Sequence, residues 1–132
     1  MEIRISTVKA RVPITVMHIK GNIDSDTHSI FQAQADEVIR NGARYILVDL
    51  SETPFMSSAG LNILHNIFNQ LRSANNDLND DELRKKMSAG RYKSPYIKVS
   101  NLSSQVRDAF IISGFDTYIE VYDDIKKAAA SF

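Results

Sequence analysis

Apolar positions along the chain follow two periods, and the order in which they alternate predicts the architecture. Residues 2–8, "EIRISTV", alternate and predict a strand with Ile3, Ile5 and Val8 toward a core. After Pro13, "ITVMHIKG" predicts a second strand, with Ile14, Val16 and His18 on one face and Thr15, Met17 and Ile19 on the other. Apolar residues on both sides imply a strand covered on both faces, and Gly21 ends it. The polar loop "NIDSD" at 22–26 leads into a helix over 27–41, capped by Asp26 or Thr27, with Phe31, Ala35, Val38 and Ile39 as its stripe and Ile30 at the edge. Gly42 closes that helix in a left-handed turn. "YILVDL" at 45–50 is nearly all apolar, which predicts a buried central strand parallel to a neighbour. A second helix over 58–73 lines one side with Leu61, Leu64, Ile67, Phe68 and Leu71.

The remaining pattern continues the alternation. "YIKVSN" is a strand, and "SSQVRDAFIISG" is a helix capped by Ser103 or Ser104, packing Val106, Ala109, Phe110 and Ile112, and closed by Gly114. "TYIEVY" is a strand, and "DDIKKAAASF" is a last helix with Asp123 or Asp124 near its cap and Ile125, Ala128, Ala129 and Phe132 to pack. The order β-β-α-β-α-β-α-β-α predicts an α/β fold over 1–132, a single domain with a mixed central sheet of about five strands flanked by about four helices. Residues 75–94 break the pattern. Asp77, Asp80, Asp81 and Glu82 precede Arg84, Lys85, Lys86, Arg91 and Lys93, as expected of a polar surface insertion. A bare loop of that length is unusual, and a short helix at 80–89 is expected in it. Asn79 and Glu82 have capping-box spacing, and Leu83 and Met87 form an i, i+4 pair.

Composition narrows the function. The chain has 132 residues, 43% of them hydrophobic, enough for a core. Lys+Arg and Asp+Glu are each 16, so the net charge is zero and neither nucleic acid nor an anionic membrane is the expected partner. There is no cysteine, which excludes disulfides, Cys catalysis and Cys-ligated zinc. His18, His28 and His65 form no close metal motif, and no cofactor is expected. No stretch approaches the roughly 18 apolar residues of a membrane span, and the alternating start lacks a signal-peptide core, so a cytoplasmic protein is expected.

The chemistry concentrates at "TPFMSSAGL", residues 53–61, between the central strand and the second helix. Ser58 there has three readings. It is a helix cap; it is a nucleophile; or it receives a phosphoryl group. The nucleophile reading lacks a base, because His65 is two helical turns away and Met56 and Ala59 stand where a G-x-S-x-G elbow has glycines. The acceptor reading has physical support. The N–H groups of Ala59, Gly60 and Leu61 are expected to lack intrahelical acceptors, and with the helix dipole they can hold a dianion. Neither GxxxxGK nor GxGxxG is present, so the kinase must be another protein.

"GNID" at 21–24, "ILVDLSETPFMSSAGLNIL" at 46–64 and "VRDAFIISGFDTYIEVYDD" at 106–124 together resemble the STAS domain family, in its anti-sigma factor antagonist branch. The resemblance implies that Ser58 is the residue phosphorylated by a partner kinase, with Ser57 as the alternative. It also implies a partner-binding surface of Asn22, Asp24, Ser57, Ser58, Ala59, Gly60 and Asn62. Ser57 stands where founding members carry aspartate, and Ala59 where they often carry Ser or Thr. The implied partner is an anti-sigma factor that is also a serine kinase of the histidine-kinase-like ATPase fold, with a phosphatase to reset the switch. Within the same family, a regulatory module serving a sensory assembly, cyclase, secretion system or transporter is the alternative.

Overall fold

The structure is a computed structural model of the chain and describes residues 1–77, 79–90 and 92–132. Arg91, one of the basic residues of the 75–94 segment, lies outside them. The alternating start pairs with the second strand as a hairpin, β1 (Glu2–Lys9) running antiparallel to β2 (Pro13–Lys20). The strands β3 (Ile46–Glu52), β4 (Ile97–Ser100) and β5 (Glu120–Tyr122) follow in parallel, giving a mixed five-stranded sheet in the order β1-β2-β3-β4-β5. The helices are α1 (His28–Arg40), α2 (Ser58–Ala74), α3 (Asp80–Ser88), α4 (Ser104–Ile112) and α5 (Ile125–Ala130). This is the mixed α/β fold that the alternation predicts.

Because side chains of a strand alternate in direction, the sheet has two unequal faces. Met17, Ile19, Ile46, Val48, Leu50, Ile97 and Val99 pack with Phe31 and Ala35 of α1, the apolar stripe of α2, and Val106 and Phe110 of α4. On the other face Ile14, Val16 and Leu47 pack with Ala128, Ala129 and Phe132 of the α5 segment, joined by half-buried Val8, Val12, Tyr45, Tyr122 and Ile125. A buried lysine fastens that segment: Lys98 Nζ donates to Ser131 O at 3.0 Å and Ser131 Oγ at 2.9 Å, and pairs with Glu120 at 3.1 Å. Six residues of helix cannot cover five strands. The ends of β1, β2 and β3 beyond α5 therefore carry polar side chains.

Several local expectations need correction. Ile3 and Val8 lie on opposite faces, since their spacing is odd; Ile3 packs with the larger core, Val8 with the smaller, and Ile5 is exposed. Ile112, expected to pack, is 84% exposed, because α4 ends there and turns it outward. The last strand begins at Glu120 rather than Thr117. Gly114 takes φ 81°, and the chain curls into a 3-10 turn at Phe115–Thr117, with Ile119 N donating back to Phe115 O. In α3, Asn79 Oδ1 accepts from Glu82 N at 2.9 Å and Leu83 is buried, while Met87 stays exposed.

Candidate partner-docking site

Two loops leave the sheet side by side, one after β2 and one after β3, and the backbone zips them together. Gly21 N donates to Glu52 O at 2.9 Å, Ile23 N to Phe55 O at 3.0 Å, and Ser57 N to Ile23 O at 2.8 Å. Ile23 and Met56 form an isolated parallel bridge and are both buried. Thr53 Oγ1, also buried, donates to Ile19 O at 3.0 Å. The "NID" loop is thereby held against the start of α2, and Asp24 is brought to the same edge as Ser57 and Ser58.

Gly60 makes this approach possible. Its backbone is helical, so no turn demands glycine. A methyl group there would stand 2.7 Å from Ile23 Cγ2, 2.8 Å from Met56 Cγ and 3.0 Å from Ile23 O. Gly60 serves a helix-to-loop contact. Being buried, it shapes the surface on which Ser57, Ala59 and Asn62 stand.

The two serines divide the roles differently from expectation. Ser57 is the N-cap, with extended backbone, and its Oγ accepts from Gly60 N at 3.4 Å. Ser58 is the first helical residue, and it is exposed with no side-chain hydrogen bond among the described residues. Leu61 N donates to Ser57 O at 3.0 Å. The N–H groups left open at this helix end are therefore those of Ser58 and Ala59, in place of the trio Ala59, Gly60 and Leu61.

Asp24 is half-buried and builds its own loop. Its Oδ1 accepts from Asp26 N at 2.9 Å and from Thr27 N at 3.2 Å. Thr27 Oγ1 accepts from Asp24 N at 3.0 Å and donates to Asn22 O at 2.8 Å. Thr27 begins α1 without a side-chain cap bond, and Asp26 is not the cap. It is Asp24, four residues ahead of α1, whose carboxylate reaches two N–H groups of the entering turn at once. Asn22 and Asn62 are exposed on either side of this cluster. Phe55 is one residue that sequence reasoning missed: it is 38% exposed on the loop that leads to Ser57. Ser103 Oγ, at the N-cap of α4, donates to Pro54 O at 3.4 Å and steadies that loop.

Neither His28 nor His65 hydrogen-bonds to Ser58 among the described residues. His28 Nδ1 lies 3.0 Å from Ser25 O. His65 Nδ1 is 2.6 Å from Tyr118 Oη, and its Nε2 is 3.2 Å from Asn69 Nδ2, which fits a neutral ring donating through Nδ1. Desolvation by neighbouring aromatic rings, and secondarily the charge of Arg72, holds the His65 pKa below its ordinary value of 6.5. As the pH falls through that value, the unfolded chain takes up the proton before the folded one does, so stability is lost toward acid and is constant above it. Melting temperatures at pH 7.5 and 5.5 should show this loss, and His65→Gln should show less of it. An equal loss in both proteins would remove His65 as the cause.

Among the described residues no helix is long and apolar enough to cross a membrane, and no group of three or more His, Cys, Asp or Glu could hold a metal ion.

Known proteins share this fold. The STAS domain model matches residues 6–78, more than half of the chain. BtrV of Bordetella bronchiseptica, provisionally assigned as an anti-sigma factor antagonist, is 25% identical over 114 residues, which are 86% of this chain and 82% of that protein. A Thermotoga maritima protein with the same provisional assignment superposes with a TM-score of 0.71 at 16% identity, covering 96% of this chain and 90% of its own. The Bacillus cell fate determinant SpoIIAA in its phosphorylated form superposes at 0.60 and 19% identity, covering 96% of both chains. The anti-sigma factor antagonist SpoIIAA has also been solved unphosphorylated. The fold of the solved structures and the family match over the β1–α2 half agree: the chain is a member of the STAS domain family.

Proposed function

We propose that this chain is an anti-sigma factor antagonist that works by partner switching, with Ser58 as the phosphoryl acceptor. The observation that carries the reading is an exposed hydroxyl on the first residue of α2, without a hydrogen bond among the described residues and beside two open N–H groups. A phosphate there adds about −1.5 to −2 charges and is held by those N–H groups and the positive helix end. In the unphosphorylated form the partner docks on Asn22, Asp24, Ser57, Ser58, Ala59 and Asn62, with exposed Phe55 as an apolar anchor. The partner is an anti-sigma factor that is also a serine kinase of the histidine-kinase-like ATPase fold. Phosphate on a docked helix end resists desolvation and repels acidic partner groups, so the complex opens, and a phosphatase restores it. The 75–94 segment is a polar surface insertion within the domain. At this site the chain is ligand and substrate rather than enzyme, and it works in the cytoplasm.

Incubation with Mg-ATP and the serine kinase that binds this chain should add a single phosphoryl group, placed on Ser58 by fragmentation. Ser58→Ala should abolish it while keeping partner binding and stability, because Ser58 is not the cap. Ser57→Ala should keep phosphorylation and cost about 1 kcal/mol, the value of a lost cap. Phosphate on Ser57, or undiminished labelling of Ser58→Ala, would overturn the assignment.

A further inference from the structure

The sheet face left open beyond α5 holds three side chains in a relay. His18 of β2 and Asp49 of β3 are cross-strand neighbours, and His18 Nδ1 lies 2.7 Å from Asp49 Oδ2. On the other side His18 Nε2 lies 2.9 Å from Ser6 Oγ of β1. The remaining Asp49 oxygen, Oδ1, accepts from Ser51 N at 3.0 Å. A carboxylate only accepts, so it draws the proton of a neutral imidazole to Nδ1; Nε2 is then an acceptor and the Ser6 hydroxyl must donate to it. The side chains of His18 and Asp49 are 16% and 8% exposed, whereas Ser6 is half-exposed on the edge strand. Beside His18 and Asp49 lies an open cavity of about 490 Å³ whose wall also includes Arg4, Lys20, Glu2 and Glu52, with Ser6 outside that wall. Arg4 shares a face of β1 with Ser6 and is the cross-strand partner of His18.

We propose that Ser6 is an activated nucleophile, with His18 as its general base and Asp49 orienting the ring, and that this site hydrolyses small activated carboxylic esters. Ser6 Oγ bonds to the carbonyl carbon as its proton passes to His18 Nε2. The ester C–O bond then breaks, and the leaving alcohol takes that proton. Water, activated by the same nitrogen, attacks the acyl-serine, releasing the carboxylic acid and returning the proton to Ser6. Arg4, two residues from Ser6 on the same face of β1, is the cation that can face the developing oxyanion, whereas Lys20 lies opposite Glu2 at the far end of the hairpin. The site is separate from Ser58, and its test does not depend on the partner-switching reading.

The probes are a fluorophosphonate, located by peptide mass spectrometry, and p-nitrophenyl acetate hydrolysis. The folded wild-type chain should be labelled on Ser6, much faster than on exposed Ser73, and should release p-nitrophenol. Ser6→Ala should lose both signals. His18→Gln should lower the labelling rate by about 10²-fold, the usual contribution of a general base, with circular dichroism showing the fold intact. Label on Ser6 no faster than on Ser73, label confined to another serine, or an unchanged rate in folded His18→Gln would overturn the proposal. Should His18→Gln fail to fold, the comparison of Ser6 with Ser73 in the wild-type chain decides alone.

Discussion

Gly60→Ala should destabilise the chain and uncouple the docking site, although alanine is the better helix former. In an open helix the substitution gains up to about 1 kcal/mol. Here the new methyl meets Ile23 Cγ2, Met56 Cγ and Ile23 O at 2.7–3.0 Å, all closer than carbon and oxygen tolerate. Overpacking of that kind costs about 1–3 kcal/mol, so steric loss outweighs the gain in propensity. Met56 can swing aside, but Ile23 O is backbone and accepts from Ser57 N, so relief must come from parting the loop and the helix. A lower melting temperature is expected, together with a larger proportional loss of phosphorylation at Ser58. Gly60→Val should exceed both effects. A rise in melting temperature for Gly60→Ala would mean that the contact between α2 and the 22–24 loop is looser than described.

Asp24 is expected to separate into two functions when it is replaced in two ways. Asp24→Ala removes the acceptor of two backbone N–H groups, so stability should fall by about 1–2 kcal/mol along with partner affinity. Asp24→Asn keeps an oxygen at Oδ1 and removes the charge. Its melting temperature should stay near that of the wild type while binding to the kinase weakens by at least about 10-fold, the loss expected when a charged contact becomes neutral. Thermal melts and titration calorimetry on the pair resolve the two roles. If Asp24→Asn binds as tightly as the wild type, Asp24 is a turn residue alone and its carboxylate makes no partner contact.

The sheet and helices were legible because their periods are long and clean. The stripe Leu61, Leu64, Ile67, Phe68, Leu71 and the run at 45–50 each point to one element, and each forms it. The short last strand was less legible. Tyr118 and Ile119 have strand-like chemistry, but the left-handed Gly114 starts a curl that propensity does not register. At the docking site the position of Ser58 at the helix start could be read, whereas the division between cap and exposed hydroxyl could not. Two adjacent serines are chemically alike, and only the backbone angles of Ser57 separate them. The steric need for Gly60 was hidden because it depends on Ile23, 37 positions earlier, and local sequence contains no such neighbour. The same holds for Ser6, His18 and Asp49, which meet only once three strands are in register.

The bridge between Ile23 and Met56 has a consequence for how such proteins diverge. It is made of main-chain groups, which are the same whatever side chains they carry. Asn22, Asp24, Phe55 and Asn62 can therefore be exchanged without moving the two loops apart, provided Gly60 is kept and an acceptor remains at position 24. A duplicated copy could acquire a new partner by surface substitutions alone, with the hydroxyl still presented in register. Insulation between parallel signalling circuits in one cell would then reside in a handful of exposed side chains, and crosstalk could be designed in or out there without refolding the scaffold.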